Sequence, residues 1–179
     1  NLLQNRTLNQ VMYAQMQALG QLKVDVAQHK LAGDFQATLD AADVEQVSRP
    51  LASVLRGKVP AIFEGIAPYD PAVEETLFGS TDVADVSWIT PTVQAWVACY
   101  AFGTPLHSWQ MVSQGQSELA HAGMVHAAQI LAATAIVLLE QPELIEQAKV
   151  ELLERRGGQP YVCPIPADAP LPSQPRAAG

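Results

Sequence analysis

Apolar residues recur at helical spacing near the start of the chain and predict an amphipathic first helix. The apolar stripe consists of Leu8, Val11, Met12, Met16 and Leu19. Thr7 and Gln10 have the spacing of a capping box, and Gly20 is a residue type that commonly ends helices. Shorter repeats of the same kind predict two further helices, over residues 27–39 and 40–47.

The pattern changes at residues 93–101, VQAWVACYA, where successive side chains alternate between two faces of an extended segment. Both faces are apolar apart from Gln94. A strand with two apolar faces is typical of a sheet that is covered on both sides. We therefore predict a core strand here, ended by the turn-forming sequence Gly103-Thr104-Pro105.

A long helix is predicted over residues 118–140, because residues 119–139 are mainly apolar and contain no charged side chain. This stretch is long enough to cross a bilayer. It contains His121 and His126, however, and it lacks the flanking Lys and Arg residues that usually orient membrane-spanning helices. We therefore predict a buried helix in a protein that makes no membrane contact.

The remaining patterns complete a prediction of an α/β fold. A last helix is predicted to begin at Pro142, a favoured first-turn residue, and to end at the Gly157-Gly158 pair. Residues 1–158 are expected to form the C-terminal portion of a catalytic domain with three or more helices and a few strands. Residues 159–179 are rich in proline and are expected to form an irregular tail.

The charge distribution excludes one class of partner. The formal net charge is −8, and no Lys or Arg occurs between residues 59 and 148, where ten acidic residues occur. Nucleic-acid binding requires a basic surface that neutralises phosphates. The sequence therefore predicts no nucleic-acid partner.

The cysteines and the first residues indicate a compartment. Cys99 and Cys163 are too few for a disulfide framework and too far apart for a paired-cysteine metal motif. The opening sequence NLLQNRTLNQ lacks the apolar stretch of a signal peptide. We therefore expect reduced thiols and a cytoplasmic protein.

Two positions are candidates for chemistry from their context. His107 follows the end of the predicted strand, and open sheets place ligands at the carboxyl ends of their strands. A hydrogen-bonded structural histidine is the alternative. Asp82, together with Asp85, precedes the strand and fits a carboxylate near a metal; alternatively, Asp82 caps the turn that follows it. These residues alone cannot complete a metal site, which usually needs three or four protein ligands.

Several motifs resemble the M20 family of metallopeptidases and amidohydrolases. The central one, at residues 79–110, is GSTDVADVSWITPTVQAWVACYAFGTPLHSWQ. The resemblance continues through AHAGMVHAAQILAATA at 120–135, GGQPYVCPIP at 157–166 and NRTL at 5–8, and is poor over 50–75. It concerns the C-terminal part of the family's catalytic domain.

The resemblance implies hydrolysis at a pair of zinc or manganese ions, where metal-activated water attacks an amide carbonyl and a glutamate is the general base. In the family's PLHS-like motif the histidine is a metal ligand, and it matches His107. The Ser-Thr-Asp turn on the floor of the family's active-site cleft matches Ser80, Thr81 and Asp82. Nothing in residues 1–78 resembles the family's other ligand motifs.

The implied function is therefore that of a C-terminal fragment, inactive alone, of an amidohydrolase. The expected substrates are N-acyl amino acids such as p-aminobenzoyl-glutamate, and the expected assembly is an oligomer with itself or with an A subunit. The alternative is a non-catalytic α/β interaction module.

Overall fold

The computed structural model describes residues 2–73, 81–163, 165–166 and 168–169. Helices account for most of the regular structure, and a 3₁₀ turn at Arg49–Leu51 separates the third helix from the fourth. The helices are α1 Arg6–Leu19, α2 Val26–Gln36, α3 Ala41–Ser48, α4 Ala52–Leu55, α5 Val83–Ile89, α6 Trp109–Gln114, α7 Glu118–Glu140 and α8 Pro142–Arg155.

The prediction of an α/β fold is wrong, because the residues that the structure describes include no strand. Residues 93–101 have no regular secondary structure and pair with no other strand. An alternating pattern favours extended backbone, whereas a sheet also needs a neighbouring strand for its hydrogen bonds. The segment instead passes close to α7. A Cβ atom at Gly123 would overlap the Ala98 carbonyl oxygen and lie 2.7 Å from Cys99 Sγ.

Helices α1, α7 and α8 pack against one another. The predicted stripe of α1 contributes Leu8 and Met12, which are buried. The partner helices contribute Ile130 from α7 and Leu152 from α8. The predicted helical face is thus confirmed at these two positions, and it is covered by the two C-terminal helices.

A polar contact between α1 and α8, which we call the α1–α8 junction, involves Asn5, Thr7, Ala148 and Glu151. The buried Asn5 caps α1 by accepting a hydrogen bond from Leu8 N at 3.0 Å, and its Nδ2 donates to Ala148 O at 2.9 Å. The predicted cap at Thr7 is wrong, because the Thr7 hydroxyl donates to Glu151 Oε2 at 2.9 Å. Gly20 ends α1 as predicted, with φ 80°.

A second apolar cluster lies around α2 and the beginning of α7. Its buried members are Leu22, Ala32, Ile62, Ala101 and Leu119. Asp25 and Gln28 form a complete capping box at the start of α2. Ala101 belongs to this cluster, so the segment that connects it to His107 starts from a buried position.

The length of α7 is confirmed, but its predicted burial is wrong. Its buried residues are Leu119, Gly123, Ile130 and Thr134, whereas Met124 is 60% and Leu139 79% exposed. The helix is apolar nearly all round, and α1 and α8 cover only part of it. By length and composition, α7 is also long and apolar enough to cross a membrane. Because core helices of soluble proteins can meet the same criteria, one such helix is weak evidence for a membrane span.

Candidate functional site

The candidate site centres on residues 101–110, which we call the His107 turn. Ala101 and Thr104 are buried, and the Thr104 hydroxyl donates to Ala101 O at 2.7 Å. Gly103 lies between them with φ 90°, and a Cβ there would be 2.8 Å from Val44 Cγ2 on α3. Only glycine satisfies both the left-handed backbone and this close contact.

Two hydrogen bonds connect Phe102 of the turn to residues elsewhere in the chain. Phe102 N donates to Ala61 O at 2.8 Å, and Gln36 Nε2 donates to Phe102 O at 3.0 Å. Gln36 lies at the end of α2, and Ala61 belongs to the segment between α4 and α5. The turn is therefore connected to two separate parts of the chain before it reaches His107.

His107 is exposed and has φ 61°, a left-handed conformation that is uncommon outside glycine. This conformation costs an L-residue about 1–2 kcal/mol. The next residue, Ser108, starts α6: its hydroxyl donates to Pro105 O at 2.8 Å and accepts from Met111 N at 3.2 Å. Hydrogen-bonded backbone thus lies on both sides of the strained residue.

Two further predicted site residues, Thr81 and Asp82, lie at the start of α5. Thr81 is exposed, and its hydroxyl accepts a hydrogen bond from Val83 N at 3.3 Å. Asp82 occupies the N-cap position, but its exposed carboxylate makes no capping hydrogen bond. The interpretation of Asp82 as a capping side chain is therefore not supported. The third predicted residue, Ser80, lies outside the described residues.

A contact that the sequence analysis missed joins α5 to the chain after α8. Tyr161 OH donates to Asp85 Oδ1 at 2.8 Å. This hydrogen bond, together with the negative charge of the carboxylate, raises the pKa of Tyr161 to about 12. The two residues are 76 positions apart, so no local pattern could have indicated the pair.

His107 and Asp82 are positioned by different parts of the molecule. Beside His107, the Trp109 ring lies 6.4 Å from the Phe35 ring of α2, measured between centroids. Helix α5 is instead attached to the N-terminal segment, where Leu3 N donates to Ser87 Oγ at 2.8 Å. Among the described residues no hydrogen bond links His107 to Asp82. The predicted strand before His107 is wrong, and the placement of His107 and Asp82 in one active-site cleft, which the family resemblance implies, stays a prediction.

The described residues do not by themselves form a metal centre. They include no group of three or more His, Cys, Asp or Glu side chains that could hold a metal ion. His107 offers one imidazole, whereas zinc sites in proteins usually need three or four protein ligands. A zinc or manganese ion would therefore require ligands other than those described.

The two cysteines are free thiols. Burial raises the pKa of the Cys99 thiol, which lies beside α7 at Gly123. In this arrangement Cys99 packs against α7.

Comparison with known proteins finds one similar protein, which is named as a subunit of a hydrolase. The chain is 37% identical over 173 residues to the B subunit of p-aminobenzoyl-glutamate hydrolase from Escherichia coli (strain K12), in an alignment that covers 92% of the chain. The chain spans 36% of that relative's length. No protein-family model matches the chain, and no solved structure matches it. The similarity to this B subunit confirms the resemblance of the chain to p-aminobenzoyl-glutamate hydrolase, whereas membership of the M20 family stays a prediction.

Proposed function

We propose that residues 1–179 are the C-terminal portion of a metal-dependent amidohydrolase that cleaves the amide bond of p-aminobenzoyl-glutamate or a similar N-acyl amino acid. The observation that carries the proposal is the 37% identity to the B subunit of p-aminobenzoyl-glutamate hydrolase over 92% of the chain. Since the chain spans 36% of that relative, the larger part of such an enzyme would lie outside residues 1–179. We call the longer polypeptide the parent enzyme.

His107 is the residue through which this chain would contribute to a zinc or manganese centre of the M20 type. Its side chain is exposed, and its backbone has the left-handed φ of 61°. Strained residues of this kind concentrate at functional sites. The remaining ligands and the general base would come from the rest of the parent enzyme. Ser80, Thr81 and Asp82 are proposed to line the floor of the cleft.

The outer face of α7 supports the view that residues 1–179 are part of a larger assembly. Its apolar side chains that are more than half exposed are Met124, Val125, Leu131, Ile136 and Leu139. Burial of such surface contributes about 25 cal/mol per Å². Monomeric proteins rarely leave large apolar patches open to solvent. We propose that the parent enzyme is cytoplasmic and that it assembles with a second copy or with an A subunit.

The first test compares the parent enzyme with the isolated chain 1–179. Both are assayed for hydrolysis of p-aminobenzoyl-glutamate after addition of zinc or manganese. We expect turnover by the parent enzyme and none by the isolated chain, because one histidine cannot hold a metal pair. Robust metal-dependent turnover by the isolated chain would contradict its proposed incompleteness. A natural protein that consists of this chain alone and lacks turnover would favour a helical interaction module instead.

The second test concerns His107 in the parent enzyme. We expect His107→Ala to lower the metal content, measured by elemental analysis, while circular dichroism shows an unchanged helix content. His121→Ala is the matched control, because His121 lies on α7 outside the His107 turn. Equal metal contents in the two variants would argue against His107 as a ligand.

A further inference from the structure

The side chain of Gln114, the last residue of α6, is fully buried and uses both ends of its amide. Its Oε1 accepts from Ala101 N at 2.7 Å. Its Nε2 donates to Thr104 Oγ1 at 3.3 Å and to Gln110 O at 3.1 Å. Ala101 and Thr104 precede His107, whereas Gln110 follows it. One side chain therefore connects the backbone on the two sides of the strained residue.

We propose that Gln114 is a positioning residue, which sets the direction in which the His107 side chain leaves the turn. This proposal rests on the proposed function in one respect: the orientation would serve to present the imidazole to a metal. A left-handed residue persists only where its surroundings fix it. Gln114 provides that restraint, because its amide prevents the segments before and after His107 from moving independently.

The directions of these hydrogen bonds favour glutamine over other side chains at position 114. The Thr104 hydroxyl has one proton, which it donates to Ala101 O at 2.7 Å, so it can only accept from position 114. The backbone N–H of Ala101 needs an acceptor at the same position. An amide provides the donor and the acceptor together, whereas a carboxylate has no donor and an aliphatic side chain has neither.

The test uses Gln114→Leu in the parent enzyme, with Thr134→Val as the matched control. Thr134 is also buried, and its hydroxyl donates to Ile130 O at 2.8 Å within α7, outside the His107 turn. Thr104→Val is a milder second variant: it removes the hydroxyl that accepts from Gln114 Nε2 and donates to Ala101 O, and it leaves the Gln114 bonds to Ala101 N and Gln110 O in place. It keeps the test informative if Gln114→Leu fails to fold.

The first measurement is hydrogen exchange in peptides that span residues 100–106 and 130–136. Loss of one buried hydrogen bond corresponds to roughly tenfold faster exchange of the amide it protects. We expect that change in 100–106 for Gln114→Leu, a smaller one for Thr104→Val, and none in 130–136 for either. The control is expected to leave 100–106 unchanged.

The second measurement is the nuclear magnetic resonance spectrum of the isotopically labelled His107 imidazole, recorded without added metal. We expect one sharp set of signals in the unaltered protein and the control, and broadened or multiple signals in the two turn variants. Signals and exchange identical to those of the control would overturn the proposal. Because neither measurement involves metal or substrate, this result is distinct from a failure of His107→Ala to lower the metal content.

Discussion

The α1–α8 junction and the His107 turn each bury a side-chain amide, but the two amides connect parts of the chain at very different separations. Asn5 joins α1 to Ala148, 143 positions away. Gln114 bonds to residues no more than 13 positions away. The long connection fixes the packing of whole helices, whereas the short one fixes the shape of a single turn. We therefore expect the Asn5 amide to contribute mainly to stability and the Gln114 amide mainly to the local geometry of the His107 turn.

The largest effect on stability is expected at Asn5. We expect Asn5→Ala to lower the free energy of unfolding by about 2–3 kcal/mol, because a helix cap and a buried hydrogen bond are lost together. Thermal or denaturant unfolding followed by circular dichroism measures the change. Gln10→Ala is the control, since Gln10 belongs to the predicted capping box but is exposed. A larger loss for Gln10→Ala than for Asn5→Ala would contradict the observed cap.

The second prediction concerns Glu151 and pH. Burial raises the pKa of Glu151, but hydrogen bonds from Arg6 N, Thr7 N, the Thr7 hydroxyl and Arg155 outweigh that effect and hold it below its usual 4.5. A carboxylate with a lowered pKa in the folded protein stabilises the fold above the unfolded pKa. That contribution is lost as the pH falls from about 4.5 through the folded pKa.

We therefore expect Glu151→Gln to destabilise the protein by about 1–2 kcal/mol near neutral pH. The difference from the unaltered protein is expected to shrink as the pH falls below 4.5. Urea unfolding at several pH values measures both effects. Glu154→Gln, an exposed substitution on the same helix, is expected to change stability little at any pH. A Glu151→Gln difference that does not depend on pH would argue against the charged interaction.

The comparison also shows which features a sequence can predict. Helix ends marked by local residue types were predicted correctly: Gly20 ends α1, Pro142 begins α8, and Gly157-Gly158 follow it with φ 62° and 70°. Each of these positions depends on the conformational preference of one residue. They therefore need no knowledge of tertiary contacts.

The incorrect predictions concern features that depend on residues far away in the sequence. The cap of α1 shifted from Thr7 to Asn5 because Glu151, 144 positions away, bonds to Thr7. Among the described residues, segment 93–101 has no neighbouring strand, although its alternating pattern predicts one. In the candidate site, the motif identified His107, but no pattern indicated its left-handed backbone or the contacts of Gln114. Those features arise from the folded turn as a whole.

The third prediction concerns the left-handed backbone of His107. Glycine usually destabilises a fold by about 0.5–1 kcal/mol relative to alanine, but a left-handed position reverses that preference. We therefore expect His107→Gly to be more stable than His107→Ala by about 1 kcal/mol, measured by denaturant unfolding. At Ala128 on α7, which is exposed and helical, Ala128→Gly is expected to be destabilising. A His107→Gly variant less stable than His107→Ala would show that this position is unstrained.

The smallest expected effect lies at the exposed contact between Tyr161 and Asp85. An exposed hydrogen bond contributes little to stability, so the titration of the phenol reports the contact more directly. We expect Asp85→Asn to lower the pKa of Tyr161 from about 12 towards its usual 10, because the negative charge beside the phenol is removed. Ultraviolet absorbance between pH 10 and 12 measures the ionised phenolate, and Tyr161→Phe identifies the part of the curve that belongs to this residue. Asp82→Asn at the start of the same helix is the control and is expected to leave the curve unchanged. Unaltered titration in Asp85→Asn would mean that the contact between α5 and the chain after α8 does not form in solution.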